Sequence, residues 1–380
     1  MIPLPSQGLF VGRAWRAGIG PALVTLRDGR LFDITTKDAP TMRDLLERDD
    51  IANFVNAIPG QDIGSLDEIA AASRDAPADG TRLLTPCDLQ AVKACGVTFA
   101  RSMLERVIEE RAGGDAARAE EIRARVTAAV GDSLRDLVPG SPEAAQVKSL
   151  LQQEGLWSQY LEVGIGPDAE VFTKAQPMSA VGWGAQIGLH PVSSWNNPEP
   201  EVVLAIDSTG RIVGATLGND VNLRDVEGRS ALLLGKAKDN NASASIGPFI
   251  RLFDADFTLD TVRRLELTLR VEGEDGFVLD GRSSMAEISR DPADLVAQAR
   301  GRHHQYPDGF MLYLGTLFAP VKDRDKPGQG FTHHLGDVVT IAAPELGELV
   351  NTVRLSTEAP EWTFGTAALM RNLAGRGLLA

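Results

Sequence analysis

From about residue 165 almost to Gly377 the chain is written in short apolar runs divided by glycine-rich turns, and this texture restricts it to a fold built mainly of sheet. The clearest strand candidates are Val202-Val203-Leu204-Ala205-Ile206, Arg211-Ile212-Val213-Gly214-Ala215, Leu265-Glu266-Leu267-Thr268-Leu269-Arg270-Val271 and Met311-Leu312-Tyr313-Leu314. A second β-rich stretch opens the chain. Ala22–Leu26 and Leu31–Ile34 flank Asp28-Gly29, the strongest short hairpin signal. Between the two β-rich parts, residues 102–153 change to a helical period. Leu104, Val107 and Ile108 share one face, as do Ala119, Ile122, Val126 and Val130, and Gly113-Gly114 separates the two helices. Ser141-Pro142 reads as an N-cap with proline at the first helical position of a third helix through Val147 and Leu150. The class is therefore α+β, mostly β. The expected organisation is a small β-rich N-terminal domain over 1–90, closed by the turn formers Pro77, Asp79 and Gly80. A linker and α-helical insertion follow over 91–160, and a catalytic domain over 161–380.

No run of about 18 apolar residues occurs, so no membrane span is expected, and no repeat of 20 to 50 residues points to a solenoid or propeller. Among the 380 residues, 38 Lys and Arg stand against 52 Asp and Glu. The resulting balance of −14 repels nucleic-acid phosphates and anionic membranes, and no basic patch offsets it. Cys87 and Cys95 are the only cysteines, too few for a disulfide framework or a cysteine-rich zinc site, and they read as buried packing residues. With no signal-peptide pattern at the start, a reducing cytoplasm is the expected location.

Chemistry concentrates in Trp195-Asn196-Asn197-Pro198-Glu199-Pro200-Glu201-Val202. On a strand, Glu199 and Glu201 at i and i+2 point to one face. Pro200 between them has no N–H for a ladder, so an edge or bulge is expected at this end of the strand. A turn at Asp207-Ser208-Thr209-Gly210 folds the next strand back and brings Thr216–Asp220 opposite, so Asp220 joins the two glutamates. Three converging carboxylates repel one another, and a hard divalent cation with oxygen ligands, Mg²⁺ or Mn²⁺, is the simplest relief. The plain alternative is that Glu199 and Glu201 lie on the solvated face of a strand.

Five ordered motifs, Asn197-Pro198-Glu199-Pro200-Glu201, Gly218-Asn219-Asp220-Val221-Asn222-Leu223-Arg224-Asp225, Lys238, Gly247-Pro248-Phe249 and Leu314-Gly315-Thr316, resemble the fumarylacetoacetate hydrolase superfamily over about residues 165–355. The resemblance implies a mixed β-roll catalytic domain, a homodimer or higher homo-oligomer, and Mg²⁺ on Glu199, Glu201 and Asp220. Gly155–Val163, Lys236–Ala242, His304–Gly309 and Asn372–Gly377 are similar to the branch of 2-keto-3-deoxy-D-xylonate (2-keto-3-deoxypentonate) dehydratases, over nearly the whole chain. One departure matters. Where family hydrolases carry Asn-Tyr-x-x-His-x-x-Glu, this chain has Thr98-Phe99-Ala100-Arg101-Ser102-Met103-Leu104-Glu105, so the His that activates water has become Ser102. A hydroxyl without a neighbouring imidazole is a poor base, which shifts the expectation from C–C hydrolysis toward elimination.

The resemblance implies that Lys238, and with it Lys174, are site lysines. It also implies that Gly315 and Thr316 hold the carboxylate of a small anionic sugar acid. Arg224 is a second anion contact, or else an ion-pair partner of Asp225 or Glu227. Glu170 is an acid/base candidate, or else a solvated strand carboxylate. Ser102 and Glu105 are a lid contact and an acid/base, or else a helix cap and an exposed helical Glu. The expected activity is Mg²⁺-dependent dehydration of a 2-keto-3-deoxypentonate to 2-ketoglutarate semialdehyde. The alternatives are hydrolysis of a 2,4-diketo-3-deoxy sugar acid to pyruvate, and a metal-binding relative without activity. His190, His303, His304, His333 and His334 all lie away from the carboxylates in sequence. His333 and His334 read as loop residues, with Gly328-Gln329-Gly330 nearby suiting a lid.

Overall fold

The computed structural model describes residues 2–75, 80–113, 115, 118–119, 122, 137–153, 157–318, 320 and 322–379. Pro77, Asp79, Gly114, Val126, Val130, Gly155 and Leu156 lie outside the described residues, as do the side chains of Arg101, Ser102 and Leu104.

Two sheets carry the fold. The larger is built from β1 (Phe10–Arg16), β2 (Gly20–Arg27), β3 (Arg30–Asp33), β4 (Gln61–Ser65), β5 (Arg82–Leu84), β6 (Ala91–Gly96), β7 (Glu170–Ala175), β9 (Pro200–Ile206), β10 (Ile212–Asp220), β11 (Ala244–Leu252) and β14 (Phe310–Tyr313). Its strand order is β4-β3-β2-β1-β11-β10-β9-β14-β6-β7, with β5 against β1. The smaller runs β13-β12-β15-β16-β8, from β8 (Gln186–Leu189), β12 (Glu266–Glu272), β13 (Val278–Ser284), β15 (Val338–Ala343) and β16 (Gly347–Leu355). Mostly sheet with helices at its margins is what the sequence texture predicts.

Local chemistry accounts for the strands that matter. The β2–β3 hairpin turns on Asp28 (φ 48°) and Gly29 (φ 73°), two left-handed residues in succession, as a tight hairpin needs. β9 is buried along its whole length because both of its faces are covered. Val202, Leu204 and Ile206 join the core between the sheets with Leu269, Ile341 and Val353, while Val203 and Ala205 join the opposite core with Met42, Leu45 and Ile250. By contrast β12 alternates buried and exposed positions, so one of its faces meets water.

The N-terminal strands are continuous with the rest of the molecule: β1 pairs β11 antiparallel, with Phe10 opposite Arg251. The helical stretch has helices at Ala100–Ala112, Pro142–Gln153 and Gln159–Ile165. Ser141 caps the second of these, its Oγ accepting the Ala144 N–H at 3.1 Å. Val107, Ile108, Leu151, Leu161 and Ile165 form a third core, which reaches the β-rich part through Trp195.

Pro200 predicts an edge or a bulge at this end of the strand. β9 is instead central, flanked by β10 and β14. Proline is accommodated because it is the first residue of the strand, and the β14 register covers only Val203–Ile206.

Candidate metal and acid-base centre

Strand direction gathers the site. β9 begins, β10 ends, β14 ends, β6 ends and β7 begins at the same end of the large sheet, because β10 and β14 run antiparallel to β9, β6 parallel to β14, and β7 antiparallel to β6. The termini of these five strands therefore deliver Glu199, Glu201, Asp220, Gly315, Thr316, Gly96 and Glu170 to one cleft. Cys95, Val97, Phe172, Glu227 and Lys238 complete its lining.

The hairpin pairs as the sequence predicts. Glu201 lies opposite Gly218, Pro200 opposite Asn219, and the Asp220 N–H donates to the Glu199 carbonyl at 3.1 Å. All three carboxylates are buried, and each offers an oxygen within 4.8 Å of the others. Glu199 and Glu201 are also braced. The Asn219 side-chain oxygen accepts the Glu199 N–H (3.1 Å), and the Gly315 N–H donates to Glu201 Oε2 (2.7 Å). Gly315 has φ +91°, and a Cβ added there would run into the Thr98 hydroxyl, so a side chain would strain the backbone and collide.

Two buried lysines meet this negative charge. Lys238 Nζ bridges Glu199 Oε2 (2.5 Å) and Asp220 Oδ2 (3.0 Å). Lys174, wholly buried, contacts Asp220 Oδ1 (2.7 Å) and donates to the carbonyls of Lys238 (2.6 Å) and Val221 (3.1 Å). An ammonium has three hydrogens, so these contacts occupy Lys174 behind the cleft. Burial acts to raise the Asp220 pKa, but Lys174 and Lys238 outweigh it and hold this carboxyl below its ordinary value. Glu201 moves the other way: burial first, then Asp220 and Glu199, push its pKa well above the ordinary range. Burial also lowers the pKa of Lys174 and raises that of Cys95.

An all-oxygen, buried, triply acidic set with one ammonium already between two of its members suits a hard divalent cation. Zinc would favour nitrogen or sulfur ligands, and no His joins the group.

Other residues singled out in the sequence divide into those at the cleft and those behind it. Glu170 lines the cleft, half-buried on β7, with its carboxylate packed against Gly96. Thr316 lines it as well, and its Oγ1 accepts the Phe318 N–H at 3.1 Å, leaving the hydroxyl hydrogen to donate. Glu105 and Arg224 are not in the lining. Arg224, on the Arg224–Glu227 helical turn, lies 3.6 Å from Glu105, donates to the Pro320 carbonyl (3.3 Å) and stacks 4.1 Å from the Trp195 ring centroid. Asp225 instead accepts from Ser193 Oγ (2.7 Å) and the Ser194 N–H (2.8 Å). The backbone of Ser102 belongs to the Ala100–Ala112 helix.

Sequence reasoning missed Glu227, a buried carboxyl in the lining, and a buried trio beside the segment that leads into Glu199, where the His333 N–H donates to the Asn196 side-chain oxygen at 3.2 Å. His333 and His334 do lie in a loop, but His333 is buried with Nδ1 3.1 Å from Asp337, which also accepts two bonds from Arg324 at 2.6 and 2.8 Å. Burial lowers the His333 pKa. The Asp337 carboxyl is driven down to about 2, since the His333 and Arg324 bonds outweigh its burial.

The family model for the C-terminal part of fumarylacetoacetate (FAA) hydrolase matches residues 165–354, half of the chain. The chain belongs to the fumarylacetoacetate hydrolase family. The probable 2-keto-3-deoxyxylonate dehydratase of Haloferax volcanii is 31% identical over 202 residues, covering 53% of this chain and 66% of that protein. The 2-dehydro-3-deoxy-D-arabinonate dehydratase of Saccharolobus solfataricus is 30% identical over 188 residues, covering 49% of this chain and 58% of the relative. These alignments thus span somewhat under two thirds of each curated relative. A solved structure of 2-keto-3-deoxy-D-arabinonate dehydratase complexed with magnesium and 2,5-dioxopentanoate has the same fold. Its TM-score is 0.62 at 22% identity, covering 92% of this chain and 99% of that one. Among the described residues, no helix is long and apolar enough to cross a membrane.

Proposed function

We propose that the protein is a Mg²⁺-dependent hydro-lyase that converts a 2-keto-3-deoxypentonate, such as 2-keto-3-deoxy-D-xylonate, to 2-ketoglutarate semialdehyde (2,5-dioxopentanoate). The observation that carries this reading is the buried Glu199–Glu201–Asp220 set beside Lys238 and Thr316 in one cleft. The two curated relatives, both dehydratases of such acids, and the neighbour complexed with magnesium and 2,5-dioxopentanoate support it.

Glu199, Glu201 and Asp220 would hold the cation, which when bound supplies Lewis acidity for the C1 carboxylate and C2 ketone of a 2-keto acid. The chain's own groups do the rest. Thr316 donates its hydroxyl to the substrate carboxylate, and Gly315 keeps Glu201 aimed through its N–H. Lys238 supplies the positive charge of the cleft. Glu170 takes the C3 proton from its half-buried position on β7. Lys174 holds Asp220 and the end of the Leu234–Lys238 helix in place and makes no contact with substrate. Arg224 and Glu105 brace the wall of the cleft from behind. We extend the proposal to a cytoplasmic homo-oligomer, a homodimer or larger.

The test is product analysis. Metal-stripped protein is given Mg²⁺ with either 2-keto-3-deoxypentonate or a 2,4-diketo-3-deoxy sugar acid. Semialdehyde from the first substrate is the expected product, and pyruvate from the second without any semialdehyde would replace this reading with the hydrolase.

A further inference from the structure

Dehydration moves two protons, one off C3 and one onto the departing C4 oxygen, and few groups in the cleft can carry them. The three clustered carboxylates serve as ligands, and Lys238 spans two of them. Thr316 is an alcohol, and burial holds the Cys95 thiol protonated. The lining has two further carboxyls, Glu170 and Glu227.

Glu227 is only 4% exposed, yet it faces the cleft. It closes the helical turn Arg224–Glu227, which packs on the Leu234–Lys238 helix. That turn is braced on both sides. Arg224 is held by Glu105 and the Trp195 ring, the Asp225 carboxylate is held by Ser193 and Ser194, and the Asp225 N–H donates to the Trp195 carbonyl at 3.2 Å. A carboxyl on so fixed a support reaches the same point of the cleft at every turnover.

We propose that Glu227 is a catalytic acid/base that protonates the C4 oxygen, working opposite Glu170; this rests on the dehydratase reading above. The C3–H bond breaks, its proton passes to Glu170, and its electron pair enters the C2–C3 bond with charge on the C2 oxygen. That pair then returns to form the C3–C4 double bond as the C4–O bond breaks, and the leaving hydroxyl takes the Glu227 proton to depart as water. The two residues are now reversed, Glu170 protonated and Glu227 ionised, as the next step requires. Glu227 removes a C5 proton, Glu170 returns one to C3, and the resulting C4–C5 enol tautomerises to the aldehyde. One water is lost overall, and both groups regain their starting states.

The experiment uses full-length Glu227→Gln with Mg²⁺ and 2-keto-3-deoxypentonate in D₂O. Proton NMR follows exchange at C3 and semialdehyde formation, and calorimetry follows Mg²⁺ binding. The expected result is a loss of about 10²–10⁴-fold in semialdehyde formation, with continued C3 exchange and Mg²⁺ affinity within a few-fold of wild type. A semialdehyde rate within threefold of wild type overturns the proposal. So does loss of C3 exchange together with dehydration, which would make Glu227 the C3 base, and so does lost Mg²⁺ affinity, which would make it a ligand. If the Gln variant does not fold, Glu227→Asp carries the same test, since it draws the carboxyl back by one methylene. Wild type that exchanges and dehydrates nothing would instead bring down the dehydratase reading itself.

Discussion

Charge compensation at single residues decides the behaviour of the centre. Asp220 is held between two ammonium groups, whereas Glu201 has only the Gly315 N–H and Lys238 to offset its burial beside two other acids. A divalent cation in the proposed site would relieve Glu201 most. Glu201→Ala is therefore expected to abolish measurable Mg²⁺ binding in calorimetry together with activity; retained affinity would remove the cluster assignment. Lys174→Met leaves a buried carboxylate without one partner, and a loss of about 3–5 kcal/mol is expected in urea unfolding. Next to Asn196, His333 faces Asp337, with Arg324 and His334 around it. The unfolded chain protonates this imidazole near pH 6.5 and the folded chain only at lower pH. Stability should therefore hold above about pH 6.5 and fall as the pH drops below it. Asp337, at about 2 when folded, adds a further loss between about pH 4 and 2. Denaturant midpoints across pH 7 to 5 check this, and His333→Gln should flatten the curve. The Glu199–Glu201–Asp220 set was legible in the sequence because i, i+2 alternation and one tight hairpin fix it. Glu227 and the His333–Asp337–Arg324 trio were not, because each depends on contacts that no local period encodes.

Among elements, hairpins were readable and strand neighbours were not. Asp28-Gly29 and Asp207–Gly210 declare their turns, so β2–β3 and β9–β10 follow from the residues between them. The β14 strand lies more than a hundred residues from β9 in sequence, and its placement makes β9 central and brings Gly315 to Glu201. That junction is testable. Gly315→Ala forces a Cβ into a left-handed residue against the Thr98 hydroxyl, and it should pull the N–H away from Glu201. A Mg²⁺ affinity at least tenfold weaker by calorimetry is expected, with a fall in melting temperature; unchanged affinity would mean that Gly315 does not orient Glu201. For Arg224, sequence proximity suggests Asp225 or Glu227 as a partner, and of these Asp225 is held by the Ser193–Ser194 loop. The 3.6 Å approach to Glu105 comes instead from a helix more than a hundred residues away.

On the scale of the molecule, the mostly-β class was visible in the texture of short apolar runs. What the texture could not contain was that β1 and β11 pair, so the N-terminal strands extend the sheet that carries the site. The bulk charge of −14 would give the proposed anionic substrate no attraction, so attraction would come from within the cleft, from Lys238 and the cation proposed for the three carboxylates. The most direct measurement is semialdehyde formation from 2-keto-3-deoxypentonate by EDTA-treated protein, before and after Mg²⁺ is restored. The account predicts no turnover without the cation and full recovery with it, with no recovery in Glu201→Ala. Semialdehyde formed at the same rate without Mg²⁺, or by Glu201→Ala, would contradict it.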